Sequence, residues 1–190
     1  MTREPKAWYS RGYHPHFDAK DVIQTINFRL ADSLPTIELE RLEQELKLAQ
    51  DQEKFERIEA CLDVGHGECY LKDPRVAEIV QSALLFFDNQ RYRLLAWVVM
   101  PNHVHVMVEV YDEFPIADLV KSWKGFTARE INKLLGKQGS LWGRDFYDRY
   151  IRNEEHYNNA INYIHMNPVK AGLVAKPKDW PFSSAKYHAG

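Results

Sequence analysis

His103 and His105 are the residues whose spacing first suggests chemistry. They lie in a stretch, Met100 to Val110, that alternates strictly: 103, 105, 107 and 109 are His, His, Met and Glu, while 104, 106, 108 and 110 are all Val. A strand sends successive side chains to opposite faces, so this is one strand with a valine face and a histidine face. The valine face reads as buried. The two imidazoles stand about 7 Å apart along the strand, close enough to share one metal ion. The same pattern also suits two hydrogen-bonded histidines on a half-solvated sheet, and spacing alone leaves both readings open.

Two other stretches carry reactive side chains. Cys61, His66 and Cys69 offer three zinc-type ligands, but no fourth follows at a standard spacing, and Gly65 and Gly67 read better as a tight loop. Leu141 to Arg152 interleaves Trp142, Phe146, Tyr147 and Tyr150 with Arg144, Arg149 and Arg152. Rings that stack bases, set among guanidinium groups that meet phosphates, are what single-stranded nucleic acid requires. Ordinary core and edge packing fits that segment equally well.

The elements that must position these residues follow from pattern. Leu94–Val99 is a second apolar, β-branched run, joined to the histidine strand by Met100-Pro101-Asn102, and the pair reads as a β-hairpin. Asp21–Leu30 reads as an earlier strand. Residues 35–60 form a polar, helix-favouring stretch with a narrow stripe of Leu39, Leu42, Leu46 and Ala49, a peripheral helix added to a core fold. Asp73-Pro74 caps a helix carrying Val76, Ile79, Val80, Ala83, Leu84 and Phe87. Pro115 opens another to about Leu135, with Ile116, Leu119, Val120, Trp123, Phe126, Ile131 and Leu134 inward. A fourth strand follows within 141–152. Asn153 then starts a helix to about Met166, and Asn167 before Pro168 reads as the cap of a fresh short helix. The order βαββαβ is the ferredoxin-like α+β arrangement, an antiparallel sheet with helices on one face. The other face is expected to be open, with the histidines pointing there. Residues 1–20 are an N-terminal arm without a period, and 175–190 a tail that packs back.

The chain has 190 residues, 45% hydrophobic and 27% charged, with two cysteines. That size supports one domain over 1–190, and two cysteines make no disulfide framework. No apolar run reaches the roughly 18–20 residues that span a membrane, and no signal region follows Met1, so a cytoplasmic location is expected. The net charge of −2 hides a gradient: residues 1–90 hold 11 Lys/Arg against 17 Asp/Glu, and residues 91–190 hold 14 against 10. The histidine strand lies in the basic half, which tilts toward an anionic partner.

Met100-Pro101-Asn102-His103-Val104-His105 resembles the His-hydrophobe-His motif of the HUH endonucleases. Tyr163-Ile164-His165-Met166-Asn167-Pro168-Val169-Lys170-Ala171-Gly172-Leu173-Val174 resembles the tyrosine helix of the single-tyrosine transposases, and more narrowly of the REP-associated tyrosine transposases. Pro15-His16-Phe17-Asp18, the run from Phe28 to Pro35 and Trp180-Pro181-Phe182-Ser183-Ser184 extend the resemblance over nearly the whole chain. It implies a metal-dependent endonuclease and strand transferase acting on single-stranded DNA and REP-type hairpins. Mg²⁺ or Mn²⁺ would be held by His103, His105 and Asn167, and Tyr163 would attack the scissile phosphate to leave a 5′-phosphotyrosine and a free 3′-OH.

Asn167 lies four residues after Tyr163, on the same helical face, although Pro168 also argues for the cap role. Tyr157 is the rival nucleophile and Glu109 the rival ligand. Lys121, Lys124, Arg144, Arg149, Arg152 and Lys170 are the expected phosphate contacts. A monomer is favoured over a homodimer with exchanged tyrosine helices. The alternatives are a catalytically silent DNA-binding regulator of the same fold and a replication-initiator or relaxase-type nickase.

Overall fold

The computed structural model describes residues 7–10, 15–18, 22–34, 51–111 and 113–187. In chain order the elements are β1 (Ala7–Ser10), β2 (Pro15–Asp18), β3 (Ile23–Arg29), α1 (Asp51–Asp63), α2 (Pro74–Phe86), β4 (Tyr92–Val99), β5 (His103–Val110), α3 (Ile116–Leu135), β6 (Tyr147–Tyr150) and α4 (Glu154–Lys170). Strands β4-β5-β3-β6 form one antiparallel sheet in that spatial order, so the predicted βαββαβ core is present. β1 and β2 pair separately, Ala7 opposite Asp18. The arm shows no period in the sequence, since four-residue strands are too short for an alternation to register.

The valine face builds the main core. Val104, Val106 and Val108 are fully buried and meet Val76, Val80 and Leu84 of α2 and Leu119, Val120 and Trp123 of α3. Each such side chain contributes about 1.5–3 kcal/mol, and a one-residue slip would turn all of them outward, so the register of β5 is tightly held. Asp73 caps α2 as expected, its carboxylate accepting from the Arg75 N–H. On α3, Phe126 and Leu134 were expected inside but are 44% and 41% exposed. The buried row instead runs through Thr127, whose hydroxyl donates to the Trp123 carbonyl (2.7 Å) and accepts from the Trp142 indole (2.9 Å).

Tyr92 is a polar anchor in this core. Its hydroxyl donates to the Leu84 carbonyl (2.6 Å) and accepts from the Trp123 indole (3.0 Å), and burial pushes its pKa up to about 12. Tyr92→Phe would leave that indole N–H and that carbonyl buried without their partner. The expected cost is about 1–3 kcal/mol, read as a lower midpoint in urea unfolding with an unchanged slope.

The histidine face is not open. Its strands carry Ala96, Val98, Met100 and Met107, an apolar surface that must be covered, and α4 lies across it with Ile164 in the same cluster. The tail closes the β4 edge: Val98 bridges Ser183, the Val99 N–H donates to the Phe182 carbonyl, and the Trp180 indole to the Val99 carbonyl. His165 of α4 is tied to Ser184 (2.8 Å).

Helix α4 also corrects the sequence reading at its end. It runs unbroken through Pro168 to Lys170, so Asn167 is helical and caps nothing. Pro168 leaves the Ile164 carbonyl without its N–H partner but does not end the helix. Residues 35–50, with the Leu39, Leu42, Leu46 and Ala49 stripe, lie outside the described residues. The described part of that stretch, α1, turns Glu59 and Leu62 inward.

Candidate active site

Three separate segments meet beside the start of β5. His103 and His105 come from the strand, Glu59 from α1, and Tyr163 and Asn167 from adjacent turns of α4. Glu59, His103, His105 and Asn167 are each at most 4% exposed.

Asn102 sets the tautomer of His103. The Asn102 Nδ2 donates to the carbonyls of Leu62 (3.0 Å) and His66 (3.3 Å), which orients Oδ1 toward His103. That oxygen lies 2.7 Å from His103 Nδ1 and can only accept, so Nδ1 carries the hydrogen and Nε2 presents a lone pair. His103 Nε2 is buried and has no hydrogen-bond partner. Burial first, and His105 second, push the His103 pKa down to about 3, so the ring is neutral at physiological pH.

Glu59 is the hub. Its Oε2 accepts from the Tyr163 hydroxyl (2.8 Å) and lies 2.9 Å from His105 Nε2, while Oε1 accepts from the amide of Asn27 on β3. Burial works to raise the Glu59 pKa, but His105, His103 and Tyr163 outweigh it and hold the carboxyl below its usual range. The Tyr163 phenol is shifted the other way: burial and the neighbouring Glu59 charge raise its pKa. The His105 and Tyr163 rings meet edge-to-face with centroids 5.6 Å apart, and the Lys170 ammonium sits 4.5 Å from the Tyr163 ring centre.

These residues fit a divalent cation. One ligand atom each from Glu59, His103 and His105 lie within 4.8 Å of one another. Asn167 Oδ1 is buried without a partner, as is His103 Nε2. Two orphaned acceptors beside a buried carboxylate are what a pocket built for a cation leaves behind. Imidazole, carboxylate and amide oxygen together suit Mn²⁺ and tolerate Mg²⁺.

One turn further along α1, Asp63 has a buried, unpartnered Oδ1, and burial followed by the Glu59 charge pushes its pKa up to about 6. That native value lies above the unfolded one, so the folded state binds more protons between about pH 4 and 6, and stability falls as pH rises through that window. Asp63→Asn should therefore stabilise the protein by about 1 kcal/mol at pH 7–8 and flatten the pH 4–6 slope in thermal melts. Equal stability of the two proteins at pH 7.5 would disprove the assignment.

The other expected residues are dispersed. Glu109 shares the histidine face but pairs with Arg93 (2.8 Å) at the far end of the strand. Tyr157 packs against the second apolar cluster. Cys61 and Cys69 are not joined in a disulfide, and the Cys69 thiol donates to the Gly65 carbonyl (3.3 Å). Gly67, at φ +84°, presses on the Asp32 carbonyl where a Cβ would clash at 2.6 Å, so this stretch is a packed loop.

Lys121, Lys124 and Arg144 line a groove of about 590 Å³ between α3 and residues 139–146. Lys124 is spent on that loop, its ammonium donating to the carbonyls of Gly143 (2.7 Å) and Arg144 (3.3 Å). Arg149 and Arg152 are exposed on and just after β6, with Arg152 over the Tyr150 ring. No helix among the described residues is long and apolar enough to cross a membrane.

Glu59 and Asn27 were not anticipated. The sequence signal for Glu59 was weak, one acidic residue among several in a polar helix, although its place four residues before Asp63 marks one acidic face.

The chain is similar to known proteins at three levels. The model of the IS200-like transposases matches residues 70–167, more than half of the chain. A REP-associated tyrosine transposase of Escherichia coli (strain K12) is 35% identical over 114 residues, covering 56% of this chain and 63% of that protein, so the match spans less than two thirds of the relative. The structure of a REP-associated tyrosine transposase bound to a REP hairpin superposes with a TM-score of 0.57 at 20% identity, over 94% of this chain and 82% of the other, a likeness of fold. The matched span holds both histidines, Tyr163 and Asn167, while Glu59 lies outside it. The chain belongs to the IS200-like transposase family.

Proposed function

We propose that the protein is a metal-dependent enzyme that nicks and rejoins single-stranded DNA through a 5′-phosphotyrosine intermediate, with REP-type hairpins as its substrate class. The observation that carries this reading is the convergence of the Tyr163 hydroxyl, Glu59, both histidines and Asn167 on one buried pocket with two acceptors lacking partners. The likeness to the E. coli transposase and to a relative bound to a REP hairpin supports the choice of DNA. Residues 1–190 are taken as one domain, acting as a monomer.

His103, His105, Glu59 and Asn167 would hold Mg²⁺ or Mn²⁺. When bound, the ion would polarise the scissile phosphate and offset the charge that develops in the transition state. Asn102 keeps the His103 Nε2 lone pair aimed into the pocket, the supporting role such outer partners play at metal sites. The Tyr163 oxygen attacks phosphorus, the bond to the 3′ oxygen breaks, and that oxygen takes a proton from solvent to leave as a 3′-OH. A phenol is a weak nucleophile while protonated, so its proton must leave first. Glu59 Oε2 already accepts the hydrogen bond of that proton and is placed to receive it.

The test is covalent trapping. The protein is incubated with a labelled hairpin oligonucleotide bearing a single-stranded 5′ flank, in Mn²⁺ or in EDTA, then denatured and run on a gel. A shifted band in Mn²⁺ alone is the expected result. Tight DNA binding without an adduct would replace the enzyme with a DNA-binding regulator of the same fold.

A further inference from the structure

Arg29 is a cation within the Phe28–Pro35 run to which the mechanism gives no role. It ends β3 directly opposite His103, just as Asn27 lies opposite His105. Phe28 and Leu30 on either side point into the helix-covered core. Arg29 therefore faces the histidine side, with its Cβ about 5 Å from that of His103.

Its surroundings are short of negative charge. Arg29 is half-buried, and its Nη1 donates over long distances to the Leu30 carbonyl (3.3 Å) and the Ser33 hydroxyl (3.4 Å). Among the described residues no carboxylate pairs with it, and most of its five donors are unspent. Lys124 lies near enough for the Arg29 charge to disfavour its own. Gly143 fixes the side chain from the other side. A Cβ there would stand 3.5 Å from Arg29 Cγ and 3.6 Å from Cζ, and the Gly143 N–H donates to the Arg29 carbonyl (2.8 Å).

A guanidinium taken partly out of water without an anion is costly to keep, and its fork matches two phosphate oxygens. Held between Ser33 and Gly143 on the residue that pairs with His103, it is complete only when a ligand brings the anion. We propose that Arg29 is a phosphate anchor of this site, binding a phosphodiester of the substrate strand adjacent to the one presented to the histidines. The proposal rests on the nuclease reading for its ligand, but the anion site can be measured separately.

The full chain is compared with Arg29→Gln, Arg29→Lys and Gly143→Ala, all in EDTA. Inorganic phosphate should raise the melting temperature of the wild type and not that of Arg29→Gln. A fluorescent single-stranded oligonucleotide should bind Arg29→Gln about tenfold more weakly. Its plot of log affinity against log salt should be shallower by about 0.7, the loss of one phosphate contact. Arg29→Lys should restore the salt slope but not the full affinity. Gly143→Ala, which keeps the charge and crowds the guanidinium, should weaken both phosphate and DNA binding. A phosphate shift and salt slope unchanged in Arg29→Gln and Gly143→Ala would overturn the anchor, even if the wild type forms adducts. Arg29-dependent phosphate binding in a protein that forms no adduct with any hairpin would instead uphold the anion site and sink the nuclease reading.

Discussion

Tyr163→Phe should form no covalent adduct with hairpin DNA, a loss of at least about four orders of magnitude in single-turnover nicking, because the variant has no oxygen to attack phosphorus. The change removes one hydrogen bond from Glu59, which keeps its neighbours Asn27 and His105. DNA affinity and Mn²⁺ affinity should therefore stay within a few-fold of wild type, which separates loss of the nucleophile from loss of the site. Tyr157→Phe should keep full adduct yield, since Tyr157 packs in the apolar cluster under the sheet. A Tyr163→Phe protein that still forms the adduct would move the nucleophile elsewhere. Tyr157, six residues and nearly two turns earlier on the same helix, would be the first place to look.

Glu59→Gln should weaken Mn²⁺ binding by about 10- to 100-fold in titration calorimetry of the DNA-free protein. The carboxylate is the single acidic member of the buried ligand group, and a neutral amide leaves the cation only two imidazoles and the Asn167 oxygen. Glu59→Asp restores the charge but is one methylene shorter, and it should recover part of the affinity. Adduct formation should fall further than metal saturation explains, because Gln cannot receive the Tyr163 proton. Circular dichroism and a melting curve show whether the variant folds. A folded Glu59→Gln protein with wild-type Mn²⁺ affinity would remove Glu59 from the site. It would return the third ligand to Asn167 alone.

Local pattern made much of this molecule readable. The period-two alternation of residues 103–110 places both histidines on one face whatever surrounds them. Asp73-Pro74 starts α2 through its own side chain and ring. The order of apolar runs specifies the βαββαβ core, because each amphipathic element must bury one face and short connections leave few ways to do so. Tyr163 and Asn167 stand four residues apart, the spacing of one helix face wherever the helix continues that far.

What local pattern could not decide depended on segments far apart in the chain. Whether Asn167 caps a helix or faces a pocket turned on α4 continuing through Pro168, which packing against Ala96, Val98 and Met107 favours over a break. The histidine face is covered because that same surface is apolar. Lys124 resembled any other surface lysine until the loop at 143–145 supplied carbonyls for its ammonium. Glu59 became a buried hub, and Arg29 a cation beside His103, only through the register of β3 on β5 and the docking of α1 over it. Burial and pKa belong to that arrangement: a glutamate in a polar helix has no desolvation and no partners until residues 27, 105 and 163 are brought around it.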